Sequence, residues 1–247
     1  MKIVACYSNK GGVGKTATSV NLAFAMAESG LRVLLCDLDP QGASGFYFRV
    51  KPSKKLKDET FFKDVAKFTS SIKGSDYENL DVLPSNMTFR DFDIFLSRMK
   101  HSQSRLKKTL RRVNHEYDVV LLDCPPNISA LSESVFKSAD HIVVPVIPST
   151  LSERTYDQLL DFFKKHKYGK NKLIPFFSMV QHQKKLHSET ITRMHKLYKN
   201  SFLETIVPFS TDVEKMGVHR APVMTYARSR PAAKAYQALW QEIQQRI

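Results

Sequence analysis

Residues 10 to 16 read Lys-Gly-Gly-Val-Gly-Lys-Thr, directly after the apolar run Lys2 to Tyr7 and directly before a run of helical periodicity. A glycine loop between a strand and a helix commits the chain to an α/β unit whose loop and helix start cradle an anion. Gly11, Gly12 and Gly14 admit backbone conformations closed to residues with a β-carbon, so successive N–H groups turn inward on phosphate oxygens. Lys15 is placed to reach the β- and γ-phosphates and the Thr16 hydroxyl to ligate magnesium. Lys10, Gly11, Gly12, Val13, Gly14, Lys15, Thr16 and Ala17 are therefore the candidate phosphate site. The strict phosphate-loop pattern wants glycine at position 9, and Asn9 stands there, so a plain pattern search passes over the site.

Lys10 is one lysine more than a phosphate cradle needs. Its side chain leaves the strand on the side away from its own nucleotide, where a neighbouring subunit's phosphates can receive it. Charge supplied in trans stabilises phosphoryl transfer, and an arginine in that role is worth about 10³ to 10⁵ in rate. The plain alternative is a solvated lysine at the edge of a loop.

Helical periodicity in Val20, Ala23, Phe24 and Ala27 gives a helix over Thr16 to Ser29, ended by Gly30, and Leu31 to Cys36 reads as the next strand. Residues 40 to 80 are less regular and place no element until a brief strand at Leu80 to Pro84; Phe61, Phe62 and Phe68 in this stretch have no assigned role. Phe89, Phe92, Leu96, Met99, Leu106, Leu110 and Val113 recur at helical spacing and predict one long helix. Strands follow at Tyr117 to Asp123, His141 to Ile147, Leu173 to Val180 and near Ile206, with helices at Leu151 to His166, Leu186 to Tyr198 and Pro231 to Ile247. The alternation predicts an α/β fold, a mostly parallel twisted sheet with helices on both faces, and ligands at the carboxyl ends of its strands. With 247 residues, 42% of them hydrophobic, residues 1 to 247 are expected to form a single nucleotide-binding domain.

Asp37 and Asp39 stand two apart where the second strand ends, so an extended chain points both to one side, and Asp123 ends a later strand. If the strands are parallel, the three carboxylates meet at the edge that holds the glycine loop. Asp39 is assigned to position the hydrolytic water, Asp123 to the outer magnesium shell, and Asp37 to support of metal and loop. Thr16, Asp37 and Asp123 are thus the metal candidates and Lys10, Lys15 and Asp39 the catalytic ones.

The glycine loop, the Asp-Leu-Asp-Pro-Gln-Gly segment from Asp37 to Gly42 and the Leu-Leu-Asp-Cys-Pro-Pro segment from Leu121 to Pro126 resemble the deviant Walker-type ATPases of the ParA and MinD superfamily over nearly the whole chain. The segments from Val143 to Thr155 and from Val213 to Trp240 make the resemblance closer to ParA-type partition ATPases. That resemblance implies ATP and Mg²⁺ as cofactors and a homodimer that sandwiches ATP, with Lys10 reaching the partner's nucleotide. It also implies slow hydrolysis stimulated by a cargo adaptor (ParB-like or McdB-like), non-specific DNA binding, and backbone contacts to the base near Met179 and Pro208. Ala17 stands where many members have threonine, and Gln181 replaces a common aspartate. No helix-turn-helix module precedes the first strand, so site-specific operator binding is not expected.

The formal net charge is +14, an excess that attracts polyanions. No acid falls between Asp93 and Glu116, where Arg98, Lys100, Arg105, Lys107, Lys108, Arg111 and Arg112 all occur. Five lysines lie acid-free from Lys164 to Lys172, and from Lys215 to Gln241 the charged residues are Lys215, Arg220, Arg228, Arg230 and Lys234. Candidate DNA contacts are Arg220, Arg228 and Arg230, with Lys184, Lys185, Arg193 and Lys196 as a second set. The main alternative is a MinD-like membrane-associated ATPase. It needs a detachable basic amphipathic tail, whereas Ala235 to Ile247 holds few positive charges and reads as the last core helix. Iron–sulfur relatives are disfavoured because Cys124 has no partner at cluster spacing, and a small-molecule ligase or kinase lacks a substrate motif. No apolar run approaches a membrane span, residues 1 to 8 read as a core strand with no signal peptide ahead, and Cys6, Cys36 and Cys124 suit small buried hydrophobes in a reducing compartment. The expected location is cytoplasmic and nucleoid-associated.

Overall fold

Alternate residues of the central strands feed two cores, one on each face of a sheet. Ile3, Ala5, Leu34, Cys36, Val120 and Leu122 join one buried cluster, while Val4, Val33, Leu35, Val119 and Leu121 join the other. Uninterrupted apolar runs such as Val119–Asp123 are what a parallel strand covered on both faces requires. The computed structural model describes residues 1–99, 102–199 and 201–247; Lys100 of the basic run lies outside the described residues.

The strands are β1 (Lys2–Cys6), β2 (Val33–Asp37), β3 (Lys73–Gly74), β4 (Leu80–Leu83), β5 (Val119–Asp123), β6 (His141–Val146), β7 (Leu173–Val180) and β8 (Ile206–Pro208). They form one sheet in the order β3-β4-β2-β5-β1-β6-β7-β8, parallel throughout except for the short antiparallel β3–β4 edge. The helices are α1 (Lys15–Glu28), α2 (Ala43–Tyr47), α3 (Asp58–Lys63), α4 (Val65–Ser70), α5 (Phe92–Ser97), α6 (Ser102–Leu110) and α7 (Ala130–Ser138). They continue with α8 (Thr150–Lys165), α9 (Lys185–Leu197), α10 (Thr211–Glu214), α11 (Met216–His219), α12 (Val223–Tyr226) and α13 (Pro231–Gln244). Gly30 takes a φ of +92° just past α1, the left-handed stop expected there.

Two expectations are corrected. The long helix through Phe89 to Val113 is a 3₁₀ turn at Met87–Asp91, then α5 and α6, then a second 3₁₀ turn at Arg111–Val113. Its apolar residues except the half-buried Met99 are buried as the spacing predicted, but Arg98 and Met99 donate three residues back, to Phe95 and Leu96, and α5 closes there. Residues 40 to 80, which showed no clear period, hold three helices of five or six residues, too short to display one. Their phenylalanines are core: Phe61 lies 5.3 Å from Phe68, 5.6 Å from Phe89 and 5.1 Å from Phe92 between ring centres.

Tyr236, Leu239, Trp240 and Ile243 of α13 are buried in the same cluster as Val20, Ala23 and Ala27 of α1. The C-terminal helix is therefore part of the core, as expected of Ala235 to Ile247. Among the described residues no helix is long and apolar enough to cross a membrane. All three cysteines are buried and free.

Candidate nucleotide site

The sheet order brings β1, β2 and β5 side by side, and their register places Cys6 opposite Asp123 and Asp123 opposite Asp37. The glycine loop and the two strand-ending carboxylates therefore meet at one carboxyl edge, as parallel strands demand. Gly12 and Gly14 adopt φ of +70° and +85°, a region that favours glycine, and turn the loop into the start of α1. A β-carbon on Gly14 would lie 3.3 Å from Ser178 Oγ besides taking the strained conformation. Gly14→Ala is expected to weaken ATP binding about tenfold, the equivalent of about 1–2 kcal/mol of left-handed strain, measured by titration with a fluorescent ATP analogue.

Lys15 is only 8% exposed, and its ammonium donates to the Lys10 carbonyl at 3.1 Å. Burial pulls its pKa down, although nearby Asp123 and Asp39 act against the shift. Among the described residues it forms no ion pair, so a buried cation faces the loop without a matching anion. An uncompensated buried charge is costly, and a phosphate in the loop is the group that compensates it. The residues present fit a nucleotide phosphate.

The carboxylates divide differently from the expectation of two acids on one side. The chain leaves extended geometry after Asp37: Gly42 N–H donates to the Asp39 carbonyl at 2.9 Å and closes a turn. Asp37 is fully buried, and its two oxygens accept from the backbone N–H groups of Asp39 and Ser44, each at 3.0 Å. Asp39 is half-buried; its Oδ1 accepts from Gln41 N–H at 3.0 Å, and it borders a concavity of about 450 Å³ that Pro125, Pro126 and Asn127 also line. Asp123 accepts from the hydroxyls of Ser19 at 3.0 Å and Ser44 at 2.8 Å.

Burial, and then the Asp123 charge, hold the Asp37 carboxyl well above the usual range. Burial raises Asp123 as well, with the hydroxyls of Ser44, Thr16 and Ser19 opposing it. Two buried carboxylates in facing register suit a nearby cation. Among the described residues no group of three or more His, Cys, Asp or Glu side chains is placed to hold a metal ion.

Met179 and Pro208 line one cavity of about 220 Å³ with Gly12, Gly14, Ala17, Ser210 and Tyr236. Phe177 pairs with Ile206 and Val180 with Pro208, so β7 carries one extra residue between them. That bulge gives Met179 a φ of +54° and takes it out of the ladder beside the loop. Sequence reasoning missed the bulge, because only the register of β7 against β8 reveals it.

Lys10 Nζ donates to Ser152 Oγ at 3.0 Å, in the first turn of α8. Asn9 reaches the Thr155 carbonyl at 3.5 Å, so the segment from Val143 to Thr155 packs against the mouth of the loop. Ser44, which ties Asp37 to Asp123, had no motif to announce it, and Ser152, though inside the Val143 to Thr155 segment, had no assigned role; each is a small hydroxyl chosen by position in space.

The basic candidates are scattered. Arg193 is paired with Glu153 at 2.5 Å, Arg228 with Glu28, Arg230 with Asp212 at 3.1 Å and Lys185 with Glu189 at 3.5 Å. Arg220 lies over the Phe46 ring, 4.8 Å from its centre, and donates to the Phe46 carbonyl. Lys184 and Lys196 are exposed at the two ends of α9.

Fold and loop together define a phosphate-loop nucleotide-binding protein. The AAA domain family matches residues 1–176, and Soj of Bacillus subtilis (sporulation initiation inhibitor protein) is 30% identical over 98% of both chains. The chain belongs to this family and is an ATPase of the Soj/ParA type. The chromosome-partitioning ATPase Soj of Treponema pallidum is 26% identical, covering 98% of this chain and 96% of that one. Among solved structures, a Cyanothece McdA variant in complex with ATP superposes with TM-score 0.83 at 18% identity, covering 99% of this chain and 96% of that one. Cobyrinic acid a,c-diamide synthase from Mycobacterium smegmatis, with bound ATP analogue and magnesium, superposes with TM-score 0.81 at 24% identity, covering 99% and 95%. These two likenesses establish the fold.

Proposed function

We propose that this chain is a positioning ATPase whose ATP-bound form is a homodimer that holds DNA without sequence preference and carries a cargo through an adaptor protein. The observation that supports it most is the loop with two lysines: Lys15 is buried under the phosphate cradle, while Lys10 lies at its mouth on the first turn of α8. ATP and Mg²⁺ are the cofactors this reading assigns. Bound Mg²⁺ would neutralise charge on the phosphates. Thr16 and, through water, Asp123 would hold it, with Asp37 bracing the loop through the backbone of Asp39 and Ser44. Asp39 would orient the attacking water from the open side of the site, and the cavity beside Met179 and Pro208 would take the base.

For Lys10 to act on a second copy it must leave Ser152, exchanging a bond to a neutral hydroxyl for a stronger one to an anionic phosphate. Lys10→Ala is expected to abolish ATP-dependent dimerisation while the Kd for ATP changes by less than about threefold, about 0.65 kcal/mol. Equal loss of affinity and dimerisation, measured by titration and by sedimentation, would remove the role in trans. Nucleoid association follows if the dimer binds DNA, and the adaptor is of the ParB-like or McdB-like kind. The overall reading is tested by fluorescence anisotropy of random-sequence duplex with ATP or ADP at two salt concentrations. Tight, salt-sensitive binding with ATP supports it. No ATP-dependent increment would refute the DNA part.

A further inference from the structure

Helices α6, α7 and α8 each run back from the carboxyl edge of the sheet and end where the next strand, β5, β6 or β7, begins. Their last turns therefore gather at the edge opposite the nucleotide loop. Lys107, Lys108 and Arg111 close α6, and Lys137 stands at the end of α7; together they line an open groove of about 520 Å³ with Gln103. Lys164, Lys165 and Lys167 follow at the end of α8, and Lys170 and Lys172 lead into β7. The Lys172 ammonium donates to the carbonyls of Phe136 and Ala139 at 3.3 and 2.8 Å, which fixes the start of β7 against the end of α7.

Among the described residues none of these cations forms an ion pair, in contrast to Arg193, Arg228 and Arg230. A helix C-terminus favours one or two lysines, but not so many like charges on one edge. Lys172 registers the crowding: burial first, then the Lys107 charge, makes its ammonium easier to deprotonate. Glu133, to which Gln103 donates, and Asp140, whose charge acts against the Lys172 shift, lie close by, but the cations outnumber them, and such a surface is complementary to a polyanion.

We propose that this edge is a second contact surface for the phosphate backbone of duplex DNA, one that acts without nucleotide. It rests on the DNA reading above for its ligand and differs from it in place and control. The groove lies across the sheet from the loop, so neither ATP nor a second copy is needed to complete it. Duplex DNA is favoured over an anionic membrane because residues 102–112, 134–140 and 161–172 carry no exposed large apolar side chain to insert. Contact here would keep the chain on DNA after hydrolysis, leaving ATP to add affinity on top.

The test compares the full chain with the variant Lys107→Gln/Lys108→Gln/Arg111→Gln, binding a random-sequence duplex without nucleotide, with ADP and with ATP across a salt series. A second variant, Lys137→Gln/Lys170→Gln, guards against a folding defect in the first, and ATP affinity is the control for both. The wild type is expected to bind without nucleotide with a Kd of about 10⁻⁴–10⁻⁶ M at moderate salt. The triple variant is expected to lose about tenfold or more and to flatten the salt slope by about 2 to 3. The ATP-dependent increment and ATP affinity should survive in both variants. The inference is overturned if the wild type binds no DNA without ATP, if both variants bind as it does, or if it takes up phosphatidylglycerol vesicles but not duplex. Nucleotide-free binding that falls in the variants, with no increment from ATP, would support this edge and refute the ATP-switched DNA reading alone.

Discussion

Lys15→Ala is expected to raise the Kd for ATP at least about 100-fold, with hydrolysis falling below detection at millimolar ATP. The side chain is buried, its ammonium donates to the Lys10 carbonyl and forms no ion pair among the described residues, and it stands where the loop turns its N–H groups inward. Charge-assisted hydrogen bonds are worth about 1.5–3 kcal/mol each, so losing the ammonium and leaving phosphate oxygens short of a donor reaches that magnitude. Removing a buried cation that lacks an ion pair also relieves a desolvation cost in the empty protein. The variant should therefore be no less heat-stable than the wild type while losing its nucleotide. Isothermal titration beside a thermal melt separates the two effects; near-normal ATP affinity in a folded variant would remove Lys15 from the site.

Asp39 gives the second large effect, of the opposite kind. Asp39→Ala is expected to keep ATP affinity within a few-fold while kcat falls about 10²- to 10⁴-fold, the range for loss of a group that handles the proton or water in the transition state. The carboxylate also accepts from Gln41 N–H and so shapes the turn up to Gly42. Asp39→Asn separates these roles, because an amide oxygen can keep the turn without the charge. If Asp39→Asn hydrolyses ATP at the wild-type rate, the residue is a turn former and the water is positioned by another group.

Much of this was legible along the chain because the physics is local. A glycine loop between strand and helix needs left-handed residues at fixed places, and Gly12, Gly14 and Gly30 adopt them where the sequence placed them. Strands buried on both faces are unbroken apolar runs, so β5 and β7 could be read directly. What was hidden depends on distant partners. Asp37 and Asp39 were read as a pair, yet the turn at Gly42 buries one and leaves the other at the mouth, and Ser44, which donates to Asp37, reaches Asp123 across 79 positions of sequence. The bulge at Met179 appears only when β7 is set against β8. The stretch around Phe61 and Phe68 has helices too short for periodicity, and its phenylalanines find their order by packing on Phe89 and Phe92. Charge counting found the basic runs but not their occupancy. Arg228 and Arg230 are ion-paired within the chain, while among the described residues the lysines at the ends of α6 to α8 form no ion pair.

The most direct measurement is the mass in solution of Asp39→Ala, by light scattering, without nucleotide, with ADP and with ATP and Mg²⁺. An ATP-gated sandwich predicts a species near the 28.3 kDa of one chain in the first two conditions and a stable doubling of that mass in the third. The doubling should vanish when Lys10→Ala is added. A particle that stays monomeric with saturating ATP, while ATP is shown to be bound, would contradict the dimer and with it the assignment of Lys10.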